Sequence, residues 1–124
     1  MFQAQPLYFQ EIFLWLLFAH YLFDFSLQTS FMSEWKQKSH YVMFVHVIIW
    51  TGGICLAMKL LHLNISIYVL LMLFGVHYMT DWGKCYLLNR VELFKTPKRM
   101  KELFMMDQMV HIIQLLIVVE SLKP

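Results

Sequence analysis

Four long apolar runs, at about 7–28, 40–60, 65–82 and 103–122, divide the chain, with short polar stretches between them. Each run approaches the ~20 residues that carry a helix across the hydrocarbon core of a bilayer. Four membrane-spanning helices are therefore expected, joined by a polar segment at 29–39, a tight turn at 61–64 and a basic loop at 83–102. The polar positions inside the runs are few and they repeat: His20 stands four residues before Asp24, His77 four before Asp81, and Asp107 four before His111. Four residues is just over one helical turn, so both members of each pair share a face.

Composition agrees with the pattern. The chain has 124 residues, of which 60% are hydrophobic and only 15% charged, with a mean hydropathy of +0.57, too apolar for an ordinary soluble domain. The expected fold is all-α: one domain over 1–124, an integral membrane bundle of four transmembrane helices. The first run lacks a preceding Lys or Arg and a small-residue cleavage site, so it is expected to be retained and not removed as a signal peptide. Eight of the ten Lys and Arg residues fall in the connections at 29–39 and 83–102, leaving Lys59 and Lys123 for the other side. The positive-inside rule then predicts both termini on the non-cytoplasmic side. Net charge is only +2 and no recognition motif occurs, which argues against a nucleic-acid partner.

This topology gives the pairs a common depth. Helices one and three descend toward the cytoplasm and helix four rises from it, so the reversed order of Asp107 and His111 restores the same layering. A histidine layer is expected about 6 Å, one turn, beneath an aspartate layer nearer the cytoplasm. His46 on helix two joins the deeper layer, and His40, six residues earlier on a different face, sits near the mouth. Ionisable groups buried in a bilayer face a bundle interior or a wet cavity and serve a function. Imidazole and carboxylate suit a divalent metal, with zinc the first choice and manganese or iron(II) the alternatives. His20, Asp24, His46, His77, Asp81, Asp107 and His111 are the candidate ligands, enough for one ion with open positions or for two bridged ions. Two other accounts remain open: a polar network that fixes helix register, and a proton or cation pathway. Cys55 reads as packing, Cys85 as at most a peripheral ligand, and no disulfide framework is present.

The stretch from His20 through Asp24 to Gln28, then Lys38, His40 and His46, then His77 to Asp81, and finally Asp107-Gln108 with His111 resembles a small integral-membrane family of bacteria and phages known as domain of unknown function 3307. The resemblance covers nearly the whole chain. It is also distantly similar to membrane-bound metal-dependent hydrolases, although no counterpart of their His-Arg-Gly or Thr-His-Ser motifs is found. The family implies the bacterial inner membrane.

A catalytic metal a turn or two below the cytoplasmic surface is reachable by a lipid head group or a lipid-linked phosphate. Metal-dependent hydrolysis of such a linkage is the expected function, with Asp24, Asp81 or Asp107 available as general base. Gln28 and Gln108 continue the polar faces as orienting groups, and Arg90 or Arg99 in the basic loop could hold a substrate phosphate. The loop itself reads first as a topology determinant at the membrane surface. The alternatives are a non-catalytic membrane factor, such as a phage-encoded protein acting on a host envelope component, and cation or proton transport. Transport needs a polar path to the outer face, where the four runs are largely apolar. Membrane lipid is the expected partner, with a homo-oligomer or a membrane-protein partner also allowed.

Overall fold

The computed structural model describes residues 8–122, and the described chain is all-helical. Helix α1 (Phe9–Tyr21) runs directly into a π-helical turn (Leu22–Ser26). A short α2 (Ser30–Trp35) follows, then α3 (His40–Leu60), α4 (Ile67–Arg90), a 3₁₀ turn (Glu92–Lys95) and α5 (Pro97–Ser121). The expected start of the first run at residue 7, and Lys123, lie outside the described residues.

Local chemistry accounts for the boundaries. Thr29, Ser39 and Ser66 each turn a side-chain oxygen onto the backbone N–H three residues ahead, capping α2, α3 and α4. Glu11 accepts from the Tyr8 N–H at 3.0 Å, and Pro97 opens α5 at a position where its missing donor costs nothing. Helix α3 ends in a Schellman motif: His62 N–H reaches Lys59 O at 3.0 Å and Leu63 N–H reaches Met58 O at 2.9 Å. His62 pays for that geometry with a φ of 58°, in the left-handed region. Replacing His62→Gly is therefore expected to stabilise the fold by about 1 kcal/mol, read as a higher melting temperature in detergent. A lower melting temperature would mean that the imidazole makes a contact worth more than the strain.

Helix α3 keeps the expected bounds, while the other elements depart from them. The stretch 83–102, expected as a basic loop, is mostly absorbed into helix: α4 continues to Arg90 and α5 begins at Pro97. Charged residues at helix ends that reach water or a polar cavity do not interrupt a helix, so the apolar pattern marked only its middle. Two helices, His40–Leu60 and Pro97–Ser121, are long and apolar enough to cross a membrane. Helix α4 carries Asp81 and Lys84 in its length, and α1 has only 13 residues before its π turn.

Helices α1 and α4 lie diagonally opposite, each packed against α3 and α5. One apolar core, with Leu16, Trp50, Ile54, Leu73, Leu115 and Val118 at its heart, fills one end of the bundle. Gln114 staples α5 to α4 there, donating to Met72 O at 3.0 Å and Leu73 O at 2.8 Å. Large apolar side chains also point outward from every long helix, among them Phe18, Ile48, Leu71 and Ile117. The other end of the bundle holds the polar residues.

Candidate metal centre

All three His-Asp pairs converge at that end. His20, His77, His111 and Asp81 are fully buried, and Asp24, His46 and Asp107 nearly so. Helices α1, α3, α4 and α5 each contribute, because each turns the face bearing its histidine toward the bundle axis.

Four side chains form the tighter half. The Nε2 atom of His46 lies 3.2 Å from Asp24 Oδ1, 3.3 Å from Asp81 Oδ2 and 3.3 Å from His77 Nε2. His77 Nε2 lies 3.8 Å from Asp24 Oδ1 and 3.9 Å from Asp81 Oδ2. Ligand atoms arranged tetrahedrally about zinc at its usual bond lengths are about 3.4 Å apart. The observed edges bracket that value, so these four groups could hold a metal ion.

A second group shares one residue with the first. Asp81 turns its other oxygen, Oδ1, to His111 Nε2 at 3.3 Å, and His111 Nε2 lies 3.4 Å from Asp107 Oδ1. Asp81, Asp107 and His111 could likewise hold an ion. One carboxylate thus serves both groups, the bridging arrangement of two-metal sites. Neither group includes Cys85, which packs with Met43 and Val47.

His20 has a different part. Trp50 Nε1 donates to its Nδ1 at 3.0 Å, which leaves the proton on Nε2 to be donated to Gln108 Oε1 at 3.0 Å. The Gln108 amide then donates to Asp107 Oδ2 at 3.0 Å and Asp24 Oδ2 at 3.4 Å. This directed chain orients two carboxylates while leaving an oxygen of each toward a ligand group. With both ring nitrogens engaged, His20 is an orienting residue here and belongs to neither ligand group. Its separation from Asp24 is 4.0 Å, and Asp24, carried by the π turn, lies closer to His46, at 3.2 Å, and to His77, at 3.8 Å. The rings of Trp50, His77 and His111 form a stack, with centroids 4.0 and 4.2 Å apart. Stacking fixes the imidazole planes where Nδ1 of His77 and of His111 find no hydrogen-bond partner among the described residues.

Two lysines enter the cluster that the sequence reading assigned to the membrane surface. Lys36, only 8% exposed, donates to Asp81 Oδ2 at 2.9 Å and stands 3.3 Å from His46 Nε2. Lys84 donates to Asp107 Oδ2 at 2.8 Å and lies 3.5 Å from Asp81 Oδ1. Sequence offered a signal for Lys84, three residues from Asp81 and seven from His77 on one helical face. Trp50 carries the same kind of signal, four residues after His46. Nothing comparable marked Lys36, which reaches the cluster only because α2 folds back beside α3.

A cavity of about 410 Å³ opens over the cluster, lined by the polar Asp24, Gln28, Lys36, Lys84 and Gln108 together with the apolar Phe25, Leu88, Met100 and Phe104. The carboxylate Asp24 and the two lysines face it, and the histidines lie behind them. His40 stands apart, exposed and bonded to the Tyr78 hydroxyl at 3.1 Å. It shares with Arg90 a separate groove of about 150 Å³. Arg99 is paired with Glu102 at 2.9 Å on an exposed face.

The sequence model of the family described as "Protein of unknown function (DUF3307)" matches residues 12–124. The chain belongs to that family. Every member of the His-Asp cluster in this DUF3307 protein falls within the matched span. No curated protein and no solved structure matches the chain, so the distant similarity to membrane-bound hydrolases has no counterpart among the matches.

Proposed function

We propose that this DUF3307 protein is a membrane-embedded, metal-dependent hydrolase acting on a lipid head group or lipid-linked phosphate. The observation that carries the reading is the sharing of Asp81 by two ligand groups beneath a cavity lined by both polar and apolar side chains. Zinc is the first choice for the mixed imidazole and carboxylate set, with manganese or iron(II) as alternatives.

The proposal includes four spans and a bacterial inner-membrane location. Helix α1 and its π turn together run from Phe9 to Ser26, about 27 Å at helical rise. Helix α4 keeps Asp81 and Lys84 inward while Leu71 and Met79 face out, so its lipid-facing surface stays apolar despite the charges. The basic connections lie at the cavity end, which is then the cytoplasmic one, with both termini opposite.

Bound cations would polarise the scissile phosphate ester and supply hydroxide near neutral pH. Asp24, at the cavity wall, is the carboxylate best placed to take a proton from an attacking water. Gln108, set by His20 and Trp50, holds that carboxylate in place. The apolar core behind the cluster separates it from the far end of the bundle, which favours this reading over transport.

One observation favours a second reading, a static charge network that locks the helices: Lys36 and Lys84 already pair with Asp81 and Asp107. A panel of phosphorylated lipids in mixed micelles separates the two. Hydrolysis of at least one lipid is expected, abolished by chelator, restored by added metal and slowed about 10²- to 10⁴-fold by Asp24→Asn. Metal-loaded protein inert toward every phospholipid and prenyl phosphate in the panel would overturn the hydrolase reading, and protein that takes up no metal would favour the static network.

A further inference from the structure

Lys36 and Lys84 occupy positions that a pair of cations would contest. The Lys36 ammonium lies at hydrogen-bond distance from Asp81 Oδ2 and His46 Nε2, both atoms of the first ligand group. Lys84 lies against Asp81 Oδ1, an atom of the second group, and against the other oxygen of Asp107. A metal ion about 2 Å from the same ligand atoms leaves no room for an ammonium that close, and like charges drive the two apart. The lysines must then move, and the cavity they both line is the space open to them.

Charge balance says what they would meet there. With neutral imidazoles, three carboxylates against two ammoniums leave the cluster one negative charge in excess. Two divalent cations change that to three positive charges in excess, which a site withdrawn from water cannot leave unbalanced. A phosphate dianion together with one hydroxide closes the balance. The cavity also offers Gln28 Oε1, a buried acceptor with no hydrogen-bond partner among the described residues. That acceptor can receive a displaced lysine N–H. Phe25 and Phe104, in ring contact at 5.8 Å, also line the cavity and suit hydrocarbon.

We infer that Lys36 and Lys84 form a phosphate-binding site on the cavity side of the cluster, made available only when cations take Asp81 and Asp107 from them. The inference rests on the cation-binding reading above and adds an order to it: metal first, phosphate second. Linkage makes the coupling reciprocal, so phosphate must also tighten the metal.

The test uses the full chain in detergent, with manganese binding followed by electron paramagnetic resonance and phosphate binding by equilibrium dialysis. One arm supplies inorganic phosphate, and a second supplies phosphatidic acid in nanodiscs. Wild type is expected to bind phosphate only with manganese present. A Lys36→Met, Lys84→Met variant is expected to hold manganese at least as tightly while losing about tenfold or more in phosphate affinity. Lys36→Arg with Lys84→Arg should keep most of it and guards against a folding defect in the methionine variant. Tighter binding in the nanodisc arm identifies a lipid phosphate as the ligand, and tighter binding in the other identifies a soluble one. Wild type that binds manganese but no phosphate in either arm, or binds phosphate equally well without the metal, would overturn the inference alone. Wild type that binds no manganese would overturn it together with the metal reading.

Discussion

Asp81→Asn is expected to strip metal from both ligand groups and to be the most damaging single substitution in the cluster. Asp81 is fully buried; its Oδ1 faces His111 and Lys84, and its Oδ2 faces His46, His77 and Lys36. Asparagine keeps the volume but loses the charge that both ammoniums pair with. Removing one partner of a buried ion pair costs about 3 to 5 kcal/mol, because the remaining charge stays away from water. The variant should therefore show near-zero metal content together with a lower melting temperature in detergent. Asp24→Asn is the control. Asp24 belongs to one group only and, among the described residues, no lysine pairs with it within 4 Å, so its loss should weaken one ion and destabilise less. Equal metal retention in both variants would refute the bridging role.

Gly53→Ala and Gly52→Ala are expected to differ sharply although the residues are neighbours. A Cβ on Gly53 would overlap the Phe23 ring, whereas one on Gly52 meets nothing within 4 Å. Phe23 lies in the π turn next to Asp24, and its half-buried ring must shift to admit the methyl. Overpacking of this kind costs about 1 to 3 kcal/mol. Here it also pushes on the turn that carries Asp24, so weaker metal binding should accompany the lost stability. Gly52→Ala should be neutral or stabilise α3 by about 0.5 to 1 kcal/mol, since alanine is the better helix former. Melting curves and metal affinities of the two variants check both halves. If Gly53→Ala melts like wild type and keeps its metal, Phe23 does not hold the π turn in place.

The convergence of the three pairs was legible because a spacing of four on a helix commits both residues to one face, and burial commits that face to the interior. The reversed order of Asp107 and His111 carried the topology for the same reason. Three features were not legible. A π turn at Leu22–Ser26 carries Asp24, and nothing in an i, i+4 count announces a fifth residue in the turn. Lys36 counted as a surface charge because a lysine's long stem lets its head lie far from its backbone, and only tertiary contacts decide where; Lys84 counted as one although it shares a helical face with Asp81. His20 looked like a ligand until Trp50, from a different helix, claimed its Nδ1. Periodicity names the face that a residue occupies, while its partner on that face depends on packing between helices.

The central claim is that this cluster binds metal, and elemental analysis of the detergent-purified chain tests it most directly. Wild type, expressed with zinc, manganese and iron supplied, is compared with an Asp81→Asn variant that retains its helical circular-dichroism spectrum. One to two equivalents of a divalent metal in wild type, lost in the variant, is the predicted result; wild type free of metal after supplementation would contradict the account and leave the His-Asp-Lys cluster as a charge network that holds the helices together.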